Sequence, residues 1–127
     1  MAYPTEYKYT KEHEWIHPKG KTGLVGITNY AQESLGDIVF VELPKTGAIF
    51  SRGKSFGTVE SVKAVSELYA PVSGKIVALN QDLNQAPEAI NKDAHKAWMI
   101  ELELSDAKEL DSLLSAAEYE AYIAEEK

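Results

Sequence analysis

A mainly β fold, built as a sandwich or barrel of short strands, is the class that the sequence predicts. Short apolar segments recur along the 127 residues, and turn signals rich in Gly, Pro and Asn separate them. The composition, 44% hydrophobic and 26% charged, supplies enough apolar material for one core. Only two segments carry helical signals, so we expect one domain over residues 1–127 with helices as additions to the strands.

The strands are predicted from apolar runs that are bounded by turns. In chain order these runs are 6–9, 14–17, 24–27, 38–41, 56–62, 65–69, 75–79 and 98–104. Residues 38–41 are apolar on both faces, which predicts a central strand. Residues 80–97 are polar and contain Pro87, so they are expected to form a loop.

A short helix is predicted near 29–35 and a C-terminal helix near 106–125. Asn29 is a candidate N-cap with Gln32 three residues on, and Gly36 is the expected stop. In the C-terminal segment five residues share one helical face, and glutamates fill the other: Leu110, Leu113, Leu114, Ala117 and Ala121.

The stretch from Gly57 to Ile76 predicts a hairpin with a lysine at its turn. With Lys63 and Ala64 as the central turn residues, the arms match in chemical type at each opposed pair. This register places Glu60 opposite Glu67, and directly opposed like charges destabilise a strand pair. The turn also lacks the Asn-Gly or Asp-Gly that two-residue hairpins favour.

Lys63 has two interpretations at this stage. An exposed lysine at a turn is commonly a solvated side chain or a guard on a strand edge. A turn tip is also where another enzyme reaches an amine without unfolding the protein. The uncharged neighbours Val62 and Ala64 leave the amine isolated as a target.

Composition excludes several classes of function. Cysteine is absent, so there is no thiolate nucleophile, disulfide or Cys-based metal site, and His17 and His95 lack partners at metal-ligand spacing. The net charge of −7 argues against nucleic acid and suits protein partners with basic faces. No stretch is long enough to span a membrane, and the N-terminus resembles neither a signal peptide nor a transit peptide, which makes a cytoplasmic location the expectation.

Residues 60–64 (ESVKA) and 70–74 (APVSG) together resemble the lipoyl-attachment segment of the glycine cleavage system H protein family. The resemblance covers nearly the whole chain. It continues through HEW at 13–15, VGIT at 25–28, Ala31-Gln32, LGDIVFVELP at 35–44, Leu113-Leu114, Glu118-Tyr119 and Tyr122. No one of these motifs is specific by itself, because lipoyl and biotinyl domains share the hairpin plan. Taken together and in this order, the motifs are specific to this family.

The resemblance implies a barrel-sandwich hybrid fold, forming one lipoyl-carrier domain over residues 1–127 with N- and C-terminal extensions. It implies that Lys63 carries lipoate through an amide, with no catalytic or metal site of the chain's own. Recognition by the lipoylating enzyme would fall on its neighbours Glu60, Ser61, Val62, Ala64 and Glu67. The implied partners are a pyridoxal-phosphate glycine decarboxylase, a folate-dependent aminomethyltransferase, dihydrolipoyl dehydrogenase and the lipoylating enzyme. The expected state is a monomer.

Glu14 matches a family residue that is associated with the amine of the loaded arm in a sheltering cleft. A carboxylate near an ammonium is physically sensible, and the alternative is a surface carboxylate at a strand end. His13 is expected to pack or cap, and Trp15 and Trp98 to lie in the core. Two departures concern the cleft. Ser34 stands where many members have histidine, and Ala97 replaces a glycine in a loop that is expected to border the cleft.

Other functions remain open on the sequence. An H-like protein that relays lipoyl groups to other acceptor domains would share the same attachment chemistry. A biotin carrier fits less well, since Val62 and Ala64 stand where methionines usually flank that lysine. An unmodified interaction module would keep Lys63 as a free amine. An enzyme is not indicated, because no Ser-His-Asp set, phosphate loop or carboxylate dyad is visible.

Overall fold

The computed structural model describes residues 3–126. The strands within them are β1 (Lys8–Tyr9), β2 (Glu14–Lys19), β3 (Thr22–Ile27), β4 (Ile38–Glu42), β5 (Ile49–Phe50), β6 (Ser55–Ser61), β7 (Val65–Tyr69), β8 (Gly74–Leu79) and β9 (Ile100–Leu104). The α-helices are α1 (Asn29–Leu35), α2 (Asp82–Gln85), α3 (Ala89–Lys92) and α4 (Ala116–Glu126), and a 3₁₀ helix covers Ala107–Ser112. The mainly β prediction is confirmed.

The strands form two antiparallel sheets. The larger sheet has the order β1-β2-β3-β9-β8-β5, and the smaller one has the order β4-β6-β7. Both sheets contribute to one apolar core, in which Val25 and Ile76 of the larger sheet join Val41 and Val59 of the smaller one. Burial of these side chains is the main term that stabilises the arrangement.

The prediction that residues 38–41 form a central strand is wrong. β4 is the end strand of the smaller sheet, and only Ile38 and Val41 of the apolar run are buried. A β-bulge between Ile38 and Phe40 breaks the alternation of the strand, so that Val39 and Phe40 both remain exposed. An apolar run alone does not distinguish a central strand from an end strand that exposes apolar side chains.

Residues 80–97 were expected to be a loop but contain two short helices. α2 and α3 each bury one apolar side chain in the main core, Leu83 and Ile90. Each helix is only four residues long, too short for a periodic pattern to show in the sequence.

The helix near 29–35 is confirmed, but its cap is Thr28 rather than Asn29. Thr28 has extended backbone angles, and its Oγ1 accepts a hydrogen bond from the Ala31 N–H at 3.2 Å. Gly36, with φ of 82°, ends the helix and donates its N–H to the Gln32 carbonyl at 2.9 Å.

The predicted C-terminal helix is divided. The 3₁₀ helix ends at Ser112, and α4 begins only after Ser115. Ser115 and Glu118 form a capping box, in which the Ser115 hydroxyl accepts from the Glu118 N–H and the Glu118 carboxylate accepts from the Ser115 N–H. The predicted apolar face is therefore wrong, because its register assumed one continuous helix. Ala117 and Ala121 are exposed, and the buried residues of α4 are Ala116, Tyr119 and Ile123.

A second, aromatic cluster joins α4 to β1 and β2. Trp15 is buried in it, and Tyr9 stacks on Tyr119 with ring centroids 4.9 Å apart. Trp15 lies across Gly26 of β3, where a Cβ would come within 2.6 Å of the indole ring. The cluster holds the chain on both sides of Glu14 in place.

Candidate functional site

The predicted hairpin exists, but its register differs from the prediction. Glu60 pairs with Val65 and Thr58 with Glu67, so the two glutamates are not opposed and the predicted repulsion is absent. Ser61 and Ala64 then face each other, with the Ser61 N–H donating to the Ala64 carbonyl at 2.8 Å. Val62 and Lys63, rather than Lys63 and Ala64, are the central turn residues.

The Ser61 side chain explains this turn. Its Oγ accepts from the N–H groups of Ala64 and Lys63, at 3.1 and 3.3 Å, and Ser61 itself is buried. Serine at the first position of a tight turn commonly bonds the backbone in this way. The Val62 N–H donates to the Asp37 carbonyl at 3.0 Å, which ties the hairpin tip to the segment after α1.

Lys63 lies exposed at the tip of this hairpin. Its side chain passes Gly36, where a Cβ would lie 3.7 Å from the lysine Cε. Within residues 3–125, its ammonium forms neither a hydrogen bond nor an ion pair. Of the predicted neighbours, Val62, Ala64 and Glu67 are exposed, Glu60 is half-buried and Ser61 is buried. The amine is therefore exposed to solvent on a turn that is stabilised by the Ser61 side chain and by backbone hydrogen bonds.

Glu14 is a buried carboxyl group and not a surface carboxylate. Its side chain is only 2% exposed. One oxygen accepts from the Thr10 hydroxyl at 2.7 Å, and the other accepts from the Tyr69 N–H at 3.1 Å. Burial raises the pKa of Glu14 to about 7, against the opposing effect of these two hydrogen bonds. The group can therefore gain or lose a proton near neutral pH.

Glu14 opens into a cleft of about 360 Å³. The cleft is lined by four segments of the chain, which lie around the start of β2, between β5 and β6, at the end of β7 and at the end of the 3₁₀ helix: Tyr9, Thr10, Lys11, Glu12, Glu14, Arg52, Gly53, Tyr69, Ala70, Pro71, Ser112, Leu113 and Leu114. We call this the Glu14 cleft. It combines apolar walls with one buried ionisable group, a combination that suits an apolar ligand with a cationic end.

A second cleft, of about 320 Å³, lies between α1 and β7. Its lining includes Ser34, Leu35 and Ser66, and it shares Glu12 with the Glu14 cleft. We call this the Ser34 cleft. The two clefts therefore follow one another along the free edge of β7, which leads from the lysine turn to Glu14.

Tyr119 fixes the backbone next to Glu14. Its hydroxyl lies 2.8 Å from Nδ1 of His13 and 2.7 Å from Oγ1 of Thr28. His13 has a φ of 72°, unusual for a residue other than glycine, and so depends on such contacts. The prediction that His13 packs internally agrees with this contact. Sequence reasoning missed Thr10, Tyr69 and Tyr119. Tyr69 acts through its backbone N–H, and the partners of Tyr119 are distant in sequence, whereas Thr10 is four residues from Glu14 and carries no pattern that marks it.

The other histidines have structural partners. His95 is buried, accepts from the Asn29 N–H through Nε2 at 3.2 Å, and burial lowers its pKa. His17 stacks on Tyr7 with centroids 4.6 Å apart. Across the described part of the chain, no three His, Cys, Asp or Glu side chains are placed to bind a metal ion together.

A family model described as Glycine cleavage H-protein matches residues 7–126. The chain belongs to the glycine cleavage H-protein family. The family resemblance predicted from the sequence is therefore confirmed.

Individual relatives agree with this assignment. A glycine cleavage system H protein of Acidobacterium capsulatum is 65% identical over 99% of this chain and 98% of its own length. One from Staphylococcus haemolyticus is 56% identical over 98% of this chain and 100% of its own length. The crystal structure of a glycine cleavage system H protein from Mycobacterium marinum superposes with a TM-score of 0.87 at 40% identity, covering 96% of this chain and 99% of that one. This superposition confirms the barrel-sandwich hybrid fold.

The two positions at which the sequence was expected to depart from the family pattern, Ser34 and Ala97, lie at different places in the structure. Ser34 lines the Ser34 cleft, where a histidine would add a ring to those of His13 and Tyr30. Ala97 lines neither cleft described above. It borders a separate cavity of about 280 Å³ with Asp93, Lys96 and α2. The expectation that its loop borders the sheltering cleft stays a prediction, and neither cleft along β7 includes Ala97 in its lining.

The raised pKa of Glu14 predicts a pH dependence of stability that Glu14→Gln removes. As pH rises from about 4.5 towards 7, the unfolded chain loses the Glu14 proton while the folded protein keeps it, so the free energy of unfolding of the parent falls. Glutamine does not titrate. We therefore expect the free energy of unfolding of the variant, relative to that of the parent, to rise by about 2–3 kcal/mol as the pH is raised from 4.5 to 8. Urea unfolding at each pH measures this difference.

The matched control is Glu12→Gln, a neighbouring carboxylate that is exposed. Its free energy of unfolding should fall with rising pH over the same range as that of the parent. Parallel curves for Glu14→Gln and the parent would contradict a buried carboxyl group at this position.

Proposed function

We propose that this protein is the lipoyl-lysine carrier of the glycine cleavage system. Lipoate is attached to Lys63 by an amide, and the arm receives an aminomethyl group from a pyridoxal-phosphate glycine decarboxylase. A folate-dependent aminomethyltransferase unloads it with release of ammonia, and dihydrolipoyl dehydrogenase reoxidises the dithiol. The protein supplies no catalytic group; tethering replaces diffusion of free lipoate with a high effective concentration.

The observation that carries the proposal is the placement of Lys63. In a chain of this family, it is an exposed amine at the tip of a hydrogen-bonded hairpin, without an ion pair among the described side chains. A lysine that was buried or held by a carboxylate would not be open to acylation. Recognition by the lipoylating enzyme is assigned to Glu60, Ser61, Val62, Ala64 and Glu67, of which Ser61 acts by shaping the turn.

The two clefts support a resting place for the loaded arm. Along β7, Tyr69 lies about 13 Å from Val65 at the usual rise per residue, a distance comparable to an extended lipoyl-lysine arm. The Ser34 cleft would take the apolar part of the arm, and the Glu14 cleft its amine. A cation beside Glu14 would favour the carboxylate form and so replace the proton that the buried group holds at neutral pH.

Peptide mapping of protein from its native cells tests the attachment site. We expect an intact-mass increase that corresponds to one lipoyl group, located on Lys63. The other lysines, including the exposed Lys75, serve as internal controls and should be unmodified. A free Lys63 amine in cells that lipoylate other proteins would refute the proposal.

A relay role, in which the protein passes lipoyl groups to other acceptor domains, uses the same attachment site. Transfer of the lipoyl group from purified lipoylated protein to a second acceptor domain, in the presence of an amidotransferase, would support that alternative. The Glu14 cleft favours the aminomethyl carrier, since a lipoyl group without an amine has no use for a buried carboxylate.

A further inference from the structure

The surface around Lys63 exposes an unusual number of large apolar side chains. Val39 is 49% exposed, Phe40 51%, Val62 70% and Val65 64%. We call these four residues the hairpin strip. Single apolar side chains on a surface are ordinary, but a group of them marks a binding surface.

The strand register places the hairpin strip on one face of the smaller sheet. Phe40 pairs with Glu60, and Glu60 pairs with Val65, so these three side chains form one row across the sheet. Val41 and Val59, one residue further along their strands, are buried in the core. The row that contains Phe40 and Val65 therefore points outwards. Val39 lies beside it at the bulge, and Val62 follows β6 in the turn.

The polar members of the same face include three carboxylates. Glu60 lies between Phe40 and Val65, and Glu42 and Glu67 lie at the two ends of the next outward row. The chain as a whole has a net charge of −7. An apolar strip with an acidic border is complementary to an apolar groove with a basic rim.

We propose that the hairpin strip is the docking surface for the enzyme that acylates Lys63, and that this enzyme presents an apolar groove with a basic rim. The inference rests on the proposed function. An unmodified lysine has a short side chain, so an enzyme that reaches its nitrogen must bring its own surface against the hairpin. Phe40 and Val65 lie within the area so covered, and burial of Phe40 supplies an aromatic anchor. The recognition surface therefore extends from the turn across β6 to β4.

Acylation of the unmodified protein by a purified lipoate–protein ligase, with lipoate and ATP, tests the proposal. Phe40→Ser and Val65→Ser should each reduce kcat/KM about tenfold or more, mainly through KM, because the chemical step at Lys63 is unchanged. Glu60→Gln with Glu67→Gln should lower kcat/KM at low salt and flatten its dependence on ionic strength. Unchanged thermal midpoints confirm that each variant is folded.

Two exposed apolar residues of the larger sheet provide matched controls. Ile49 is 76% exposed and Val77 38%, and both lie outside the hairpin strip. Ile49→Ser and Val77→Ser should leave kcat/KM within twofold of the parent. Phe40 and Val65 variants that behave like these controls would overturn the docking surface while leaving the carrier function intact. A parent that is not acylated at all would instead refute the proposed function. A dimer of the parent that Phe40→Ser dissociates would assign the strip to self-association and overturn the proposal.

Discussion

Replacing Lys63 with arginine is expected to abolish carrier activity while leaving the fold unchanged. Arginine keeps the positive charge, but its guanidinium does not form the lipoyl amide. The side chain at 63 is exposed, and the turn depends on Ser61 and on backbone bonds, so the hairpin should be unaffected. Exchange of the glycine carboxyl group with bicarbonate, catalysed by purified decarboxylase, should fall at least about 100-fold, the scale of advantage that tethering gives.

Free lipoate must be absent from this assay, because it would bypass the carrier. The matched control is Lys75→Arg, an exposed lysine on β8, which should retain full exchange. Robust exchange by Lys63→Arg under these conditions would show that the arm is attached elsewhere or is not needed.

Glu14→Ala is expected to shorten the life of the aminomethylated arm without affecting its attachment. The aminomethyl group leaves when the nitrogen lone pair expels the sulfur, and only the neutral amine has that lone pair. A carboxylate beside the nitrogen keeps it protonated. Since a hydrogen bond to a charged group contributes about 1.5–3 kcal/mol, we expect the loaded arm of the variant to decay about tenfold faster or more.

The measurement is intact mass as a function of time, after loading with glycine and decarboxylase and removal of both. Glu12→Ala is the control, because Glu12 is an exposed carboxylate that lines the same cleft. It should decay within twofold of the parent. Equal decay of the Glu14 variant and the parent would mean that the amine does not rest in the Glu14 cleft.

The position of the lysine turn could be predicted from sequence, but its register could not. Pairing residues of like type placed Lys63 and Ala64 at the centre of the turn. In the structure the Ser61 hydroxyl accepts two backbone bonds and moves the centre to Val62 and Lys63. A side chain that closes a turn is compatible with several registers in a sequence, and only the packed sheet selects one of them.

The burial of Glu14 could not be predicted from the sequence either. Its partner on β7 is a backbone N–H, 55 residues away, and the cleft walls come from four separate segments. Family resemblance pointed to the residue, but its pKa depends on burial that no local pattern contains. The exposure of Phe40 could not be predicted for a related reason, because no pattern in the apolar run indicates the bulge.

The Glu14 cleft takes its walls from segments that lie far apart in the sequence. Tyr9 and Leu114 exchange two backbone hydrogen bonds, at 2.9 and 2.8 Å, so β1 meets the segment that follows the 3₁₀ helix. The hairpin, in contrast, is contiguous from 55 to 69. On the ribosome, the lysine turn therefore emerges long before the last wall of the cleft is synthesised. A nascent chain that was acylated early would hold an arm with nowhere to rest until residues 112–114 had also emerged.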